Sequence, residues 1–322
     1  MSIKGEAGAA VKPITSRAIQ FEAPGGYDVI QVVDREVRAP GEGEVRIQVK
    51  AAAVNPTDVV LRERGSGEST AIPGMDAAGV VESVGNGVTR LKVGDAVMAA
   101  VMPRRPESGA QAEHIVVPAT SVVPIPQGAS LTEASTLPMN GLTGLRALEL
   151  ADLSRGQTLA VSGGAGLLAH YTIAAAKHLG LKVIADAKPE EEELVRSYGA
   201  DVVVKRGDNF GDTVREAVPE GVDALLDTAL LHEKTFAAIR DGGTYIPVRG
   251  WGDAPSERGI QIKPVMVGDS LERTDMLELL RELASSGAIK LRVTGEYPPE
   301  QLAEAERALT AGGLRGRPVI VF

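Results

Sequence analysis

The chain contains no cysteine. Disulfide bonds and thiolate metal ligands are therefore excluded. Aromatic residues make up only 3% of the chain, so its cores must be built from Val, Leu, Ala and Ile. Histidine is equally scarce. The four present, His114, His170, His178 and His232, show no ligand-like spacing and read as structural residues. Positive charge is in deficit, with 34 Lys and Arg against 43 Asp and Glu and a net charge of −9. That balance argues against nucleic acid or an anionic membrane as a partner. No apolar run reaches the roughly 18 residues of a membrane span, and the N-terminus lacks a signal-like apolar core. The expectation is a cytoplasmic protein whose first twelve or so residues, rich in Gly and Ala, form a mobile tail.

What is present is enough apolar residue, 43% of 322 positions, to bury two domain cores. The stretch 158–188 organises the chain. Thr158 to Ser162 is a short apolar run and Gly163-Gly164-Ala165-Gly166 a glycine turn. Tyr171 to Leu179 has a helical pattern, and Leu181 to Asp186 is a second apolar run. This is the layout of a βαβ unit that holds a dinucleotide. Gly163 supplies the sharp turn, and Gly166 the close approach of backbone to a pyrophosphate. The following helix presents free N–H groups and a positive dipole end to the phosphates. Ala169 permits close packing of helix on strand.

Before this unit, short strands alternate with turns. They are expected at 18–21, 29–33, 44–51, 77–81, 113–117 and 122–125, with a further strand after 91–97. Asn55-Pro56-Thr57-Asp58 opens a short helix, and 62–70 and 101–112 read as loops. The pattern predicts an antiparallel barrel-like domain over about the first 135 residues. Helices are expected at 131–137 and 142–149. Strands at 158–162, 182–186, 201–205, 222–227, 243–248 and 260–267 then make a six-stranded parallel sheet, an α/β fold. A helix at 271–284, a strand at 289–293, a helix at 299–309 and a strand at 318–322 are expected to pair back onto the first domain.

Several motifs recur together: Val54-Asn55-Pro56-Thr57-Asp58, Pro73 to Gly79, Val93-Gly94-Asp95-Ala96-Val97, Leu137 to Thr143, the glycine turn, Tyr198-Gly199-Ala200-Asp201 and Gly316-Arg317-Pro318. With them the chain resembles, from about Ala18 to Phe322, the zinc-free quinone oxidoreductases of the medium-chain dehydrogenase/reductase superfamily. That group includes zeta-crystallin and polyketide enoyl reductase domains. The resemblance implies a GroES-like β-barrel domain (1–136, completed by 269–322) and a Rossmann NAD(P)-binding domain (137–268), with the active site between them and a homodimer as the common state.

The resemblance also implies site residues. Asn55 and Thr143 are the catalytic candidates. Cofactor contacts are implied for Asn140, Thr143, Gly163, Ala165, Gly166, Leu167, Leu168, Asp186, Lys188, Arg206, Thr228, Val248 and Arg317. Asn55 either donates near the nicotinamide or caps the helix after it. Arg62, Arg64, Arg104 and Arg105 lie on stretches that flank the cleft, and Trp251 either stacks on a ligand or packs. In the family's alcohol dehydrogenase branch a Cys and a His bind zinc where Asn55 and Met75 stand here, so no catalytic zinc is expected. At the end of the second strand Ala187 takes the ribose-reading position, Asp186 points away, and Lys188 and Arg206 add cations. That favours NADPH over NADH; the alternative is that Asp186 binds the ribose.

Val60 replaces a tyrosine that many relatives use near the substrate, and Leu167-Leu168-Ala169 and Ala174 also depart from the usual residues. Two functions follow. One is zinc-independent hydride transfer from NADPH to a quinone or activated alkene (enone); the other is nucleotide binding with little redox turnover. Metal independence is testable directly. Elemental analysis of purified protein should find no stoichiometric zinc, and chelators should leave activity intact. Zinc lost together with activity would contradict this.

Overall fold

The computed structural model describes residues 11–65, 70–103, 109–251 and 257–322. The expected N-terminal tail lies largely outside them, as do Arg104 and Arg105. The chain begins with an antiparallel ladder of β1 (Ile14–Phe21) and β2 (Ile30–Val37), longer than the apolar runs suggested. Then come β3 (Glu44–Ala53), α1 (Pro56–Arg64), β4 (Asp76–Val84), β5 (Ala96–Ala100), β6 (His114–Pro118) and β7 (Val122–Pro124). Two helices follow, α2 (Leu131–Ala134) and α3 (Pro138–Ala151). The alternating half carries β8 (Thr158–Ser162), α4 (Leu167–His178), β9 (Lys182–Ala187), α5 (Glu192–Ser197) and β10 (Val202–Lys205). It continues through α6 (Phe210–Ala217), β11 (Val222–Asp227), β12 (Ile239–Pro247) and β13 (Gln261–Ile262). The chain ends with α7 (Thr274–Ser285), β14 (Val293–Tyr297), α8 (Leu302–Thr310) and β15 (Arg317–Val321).

Two large sheets result. One is six-stranded and wholly parallel, in the order β10-β9-β8-β11-β12-β13. Its order reverses at β8, so β8 and β11 flank the switch point where ligands of such sheets bind. The other is seven-stranded, β14-β15-β3-β4-β5-β7 with β6 also on β3. β3 is long enough to hold three partners. β4 runs along one edge, while β6 pairs with 44–48 and β15 with 51–53 on the other. The last strand therefore joins the first half of the chain, as the sequence led us to expect. Helix α7 packs on α3 through buried Met276, Leu277, Leu280 and Leu283, and it also lies against β7 of the seven-stranded sheet. One apolar cluster runs from Met75 and Met98 through α3 to α4 and α7, so both sheets share it.

Several local expectations change. The helix expected at 142–149 begins earlier, because Pro138, tolerated in a first helical turn, starts α3. The 131–137 helix stops at Ala134, held at its start by a Ser130–Glu133 capping box. The expected strand at 260–267 shrinks to two residues. Arg62 does not open a loop but lies in the last turn of α1. Arg46 on β3 is buried and paired with Glu82 at 2.5 Å.

Arg62 also leaves the list of cleft residues. Its side chain is 2% exposed, and its Nε donates to Glu306 Oε2 at 2.7 Å. Nη1 donates to the Gly25 carbonyl at 2.6 Å, and the guanidinium lies 4.4 Å from the Tyr27 ring centroid. This ties α1 to α8. Glu306 is fully buried and its Oε1 has no partner, so the pair is worth most as mutual neutralisation. Arg62→Met strands that carboxylate and should lower unfolding free energy by about 3–5 kcal/mol. Urea denaturation checks it, and the double variant Arg62→Met/Glu306→Leu should recover much of the loss.

Candidate active site

The glycine turn leaves β8 at Ser162. Gly163 has φ +72°, and a Cβ there would meet Thr228 Oγ1 at 2.6 Å. Gly164 is the tighter position: an added Cβ would fall 2.4 Å from the Asp186 carbonyl. Sequence reasoning gave the close-approach role to Gly166, but packing of the turn against β9 demands glycine at 164. Gly166 caps α4 in an extended conformation. The first bond within the helix runs from His170 N to Gly166 O at 2.9 Å. The N–H groups of Leu167, Leu168 and Ala169 precede it, and these residues line an open cleft of about 270 Å³. Ala165 is fully buried beneath the turn. This is an anion cradle suited to a pyrophosphate.

At the adenosine end the Asp186 side chain is turned into the glycine turn. It is 1% exposed, with Oδ1 accepting from Gly164 N at 2.8 Å and Oδ2 from Arg206 Nε at 2.8 Å. Both carboxylate oxygens thus serve the turn and the ion pair. Arg206 is not a free cation either: Nη1 also approaches Glu191 at 3.4 Å, which leaves Nη2 without a protein acceptor. Lys188 is exposed and borders a small cleft with Ala187, Glu192 and Lys205.

Across the main cleft from the glycine turn, three buried polar side chains and the half-buried Arg317 interlock. Asn55 Nδ2 donates to Asp76 Oδ2 at 2.7 Å. Its Oδ1 accepts from Asn140 Nδ2 at 3.0 Å and Arg317 Nε at 2.9 Å. Arg317 Nη2 donates to Asn140 Oδ1 at 2.8 Å, and Asp76 Oδ1 accepts from Met139 N at 2.5 Å. The Asn55 side chain therefore does not cap α1; Asp58 does that work by accepting from Asn55 N at 2.8 Å. Thr143 lines the cleft one turn along α3, its hydroxyl donating to Met139 O at 2.7 Å. Burial is the dominant influence on both carboxyls and pushes Asp58 and Asp76 up to about 7, against their hydrogen bonds.

Asn140, Thr143, Gly166, Leu167, Leu168, Thr228, Val248 and Arg317 all line this cleft. Pro56, Thr57 and Met139, which stand in the motifs, line it too, and so do Arg249, Val265, Val267 and Leu314, which the sequence did not single out. Asp76, the anchor of the polar network, stands inside the Pro73 to Gly79 motif. Val60 is exposed on α1 and is not among the described residues of the cleft wall. Trp251 packs on Tyr245 and Phe236, with ring centroids 5.0 and 5.8 Å away, so the packing role is the one observed. His170 stacks on Tyr198 at 4.0 Å, and burial drives it down to about 3, which keeps it neutral. Met75 is buried in the shared core. Among the described residues no group of three His, Cys, Asp or Glu side chains is placed to hold a metal.

Comparison with known proteins adds names to this geometry. Residues 41–127 match the alcohol dehydrogenase GroES-like domain, and residues 198–320 match the zinc-binding dehydrogenase family. The chain is 30% identical to an NADPH-dependent alkenal/one oxidoreductase of Arabidopsis thaliana, over 96% of this chain and 80% of that one. It is 29% identical to a quinone oxidoreductase of Rattus norvegicus, over 95% of this chain and 98% of that protein. A mycobacterial protein solved in complex with NADPH superposes with a TM-score of 0.81 at 28% identity, covering 95% of this chain and all of that one (100%).

The buried carboxyls carry a pH signature. Asp58 and Asp76 bind their protons more tightly in the folded state than in the unfolded chain, at about 7 against 3.8. Their contribution to stability is full below the lower value and is lost as pH rises through the upper one. Unfolding free energy should therefore fall between about pH 4 and pH 7 and level off above. Denaturant titrations across that range check it, and Asp76→Asn should flatten the slope.

Proposed function

This chain belongs to the medium-chain dehydrogenase/reductase superfamily, and we propose that it is an NADPH-dependent, zinc-independent oxidoreductase that transfers hydride to a quinone or an enone. One observation supports this reading above the others. A phosphate-binding turn and an uncharged amide network with one fixed arginine face each other across a cleft whose described walls carry no carboxylate, imidazole or thiol. Bound NADPH supplies a hydride, two electrons with one proton, from C4 of its nicotinamide. The chain does the rest by placement. The first turn of α4 takes the pyrophosphate, and Thr143, Asn140 and Arg317 form the opposite wall. Lys188 is exposed and offers a donor for a 2′-phosphate, while the buried Asp186 is engaged by Gly164 N and Arg206 Nε. Val248, Val265 and Val267 supply apolar wall and reduce water in the cleft.

The proton balance explains why no metal is needed. Hydride reaches the acceptor carbon, and the electron pair it displaces moves to oxygen. From a quinone this gives a phenolate-like anion with a pKa of about 10, which water protonates. An isolated ketone would give a far more basic alkoxide and would need zinc or a positioned acid. Tyr171 does not serve as that acid: it is buried, bonded to Thr136, and its hydroxyl is pushed above its usual range by burial. Val60 cannot donate a proton. Under the same reading the enzyme is cytoplasmic and acts as a homodimer.

A panel of quinones, enones and simple ketones tests the reading. Quinones and enones should be reduced and ketones not, with NADPH bound about ten- to a hundredfold more tightly than NADH, the worth of a charge-assisted phosphate contact. Lys188→Ala should reduce that preference. NADPH binding without turnover of any acceptor would establish the nucleotide-binding reading instead.

A further inference from the structure

We infer that the natural acceptor carries an anionic group and that Arg249 recognises it. The inference rests on the hydride-transfer reading and narrows its substrate class. Two cations line the main cleft, Arg249 and Arg317, and no acidic side chain does so among the described residues. The two cations differ in state. Arg317 is committed: Asn55, Asn140 and the Gly316 carbonyl take its Nε, Nη2 and Nη1. Arg249 is exposed and makes no ion pair among the described residues. Nearby Arg240 and Arg258 pair with Asp223 and Asp241. In a chain of net charge −9, an unpaired guanidinium facing a cleft is a site of unmet positive potential.

Position separates Arg249 from the cofactor's own anion. The anion-binding N–H groups of α4 follow β8, whereas Arg249 follows β12, with β11 between them. That is two strand spacings, roughly 9–10 Å. A pyrophosphate seated on α4 is served there, and the nicotinamide ring of NADPH is uncharged. The anion that Arg249 meets therefore belongs to the acceptor. The remaining wall near it is apolar, with Val265, Val267 and Leu314, and Met266 between the two valines is 67% exposed. The fitting acceptor is amphipathic: an enone or quinone with an apolar body and a carboxylate or sulfonate. Arginine suits such a group because its planar fork pairs with it in bidentate fashion.

The test compares 4-oxopent-2-enoate with its uncharged counterpart pent-3-en-2-one, using NADPH and the full chain. The wild-type protein should favour the anion in kcat/KM, and Arg249→Gln should cut the ratio of the two values by about tenfold to a hundredfold, the worth of a charge-assisted contact. Arg249→Lys should retain part of it. Calorimetry of the saturated keto acid, 4-oxopentanoate, on protein saturated with NADP+ should show binding that Arg249→Gln loses. An unchanged ratio in Arg249→Gln, or an NADPH affinity that falls in step with turnover, would overturn the assignment. Turnover of the neutral enone without binding of 4-oxopentanoate would overturn the anion site alone. No turnover of either enone would instead overturn the hydride-transfer reading on which the site rests.

Discussion

The bond pattern around Asn55 is the constraint on which the cleft depends. One amide side chain joins four elements: α1, which follows it, β4 through Asp76, α3 through Asn140, and β15 through Arg317. All but Arg317 are buried to within 2% exposure, so each donor and acceptor lost would remain unpaired at a cost of about 1–3 kcal/mol. The network also sets a charge balance, with one guanidinium beside one buried carboxyl. It holds the seven-stranded sheet against the first turn of α3 and so fixes the distance from that wall to the glycine turn. In the metal-dependent branch of the superfamily a ligand cysteine occupies the position of Asn55. Here an amide that bonds three neighbours fills the same place.

Legibility in the sequence followed the range of the interaction. The six parallel strands could be read because each is a short apolar run with turn residues at its ends, and buried parallel strands need no finer pattern. Gly163 could be read because sharp turns need glycine. Gly164 could not, since its requirement comes from the Asp186 carbonyl on the next strand. Asp76 was hidden for the same reason: its partners Asn55 and Met139 lie 21 and 63 residues away. Arg62 misled because an arginine at a helix end is usually solvated, and nothing local announces a buried glutamate 244 residues later. Trp251 was undecidable from sequence, since an aromatic residue after a strand serves packing and stacking equally well. Arg249 was not singled out, since an arginine at a strand end is usually solvated; its significance comes from what the cleft around it lacks.

A division of electrostatic labour emerges. The chain as a whole is acidic, which keeps its surface from binding polyanions without selection. Its cleft reverses that sign locally, through helix N–H groups at one end, the fixed Arg317 in the wall and, beyond, Arg249, which makes no ion pair among the described residues. Such a site suits a phosphate-bearing cofactor, and no carboxylate or imidazole lines it among the described residues.

The central claim is direct hydride delivery without metal. It is tested most directly by supplying metal-stripped protein with NADPH deuterated at C4 on the transferred face and an enone, then locating the label in the product by mass spectrometry and NMR. The account predicts one deuterium on the β-carbon of the saturated ketone and a solvent-derived hydrogen on the α-carbon. A product without deuterium, or transfer that appears only when zinc is restored, would contradict it.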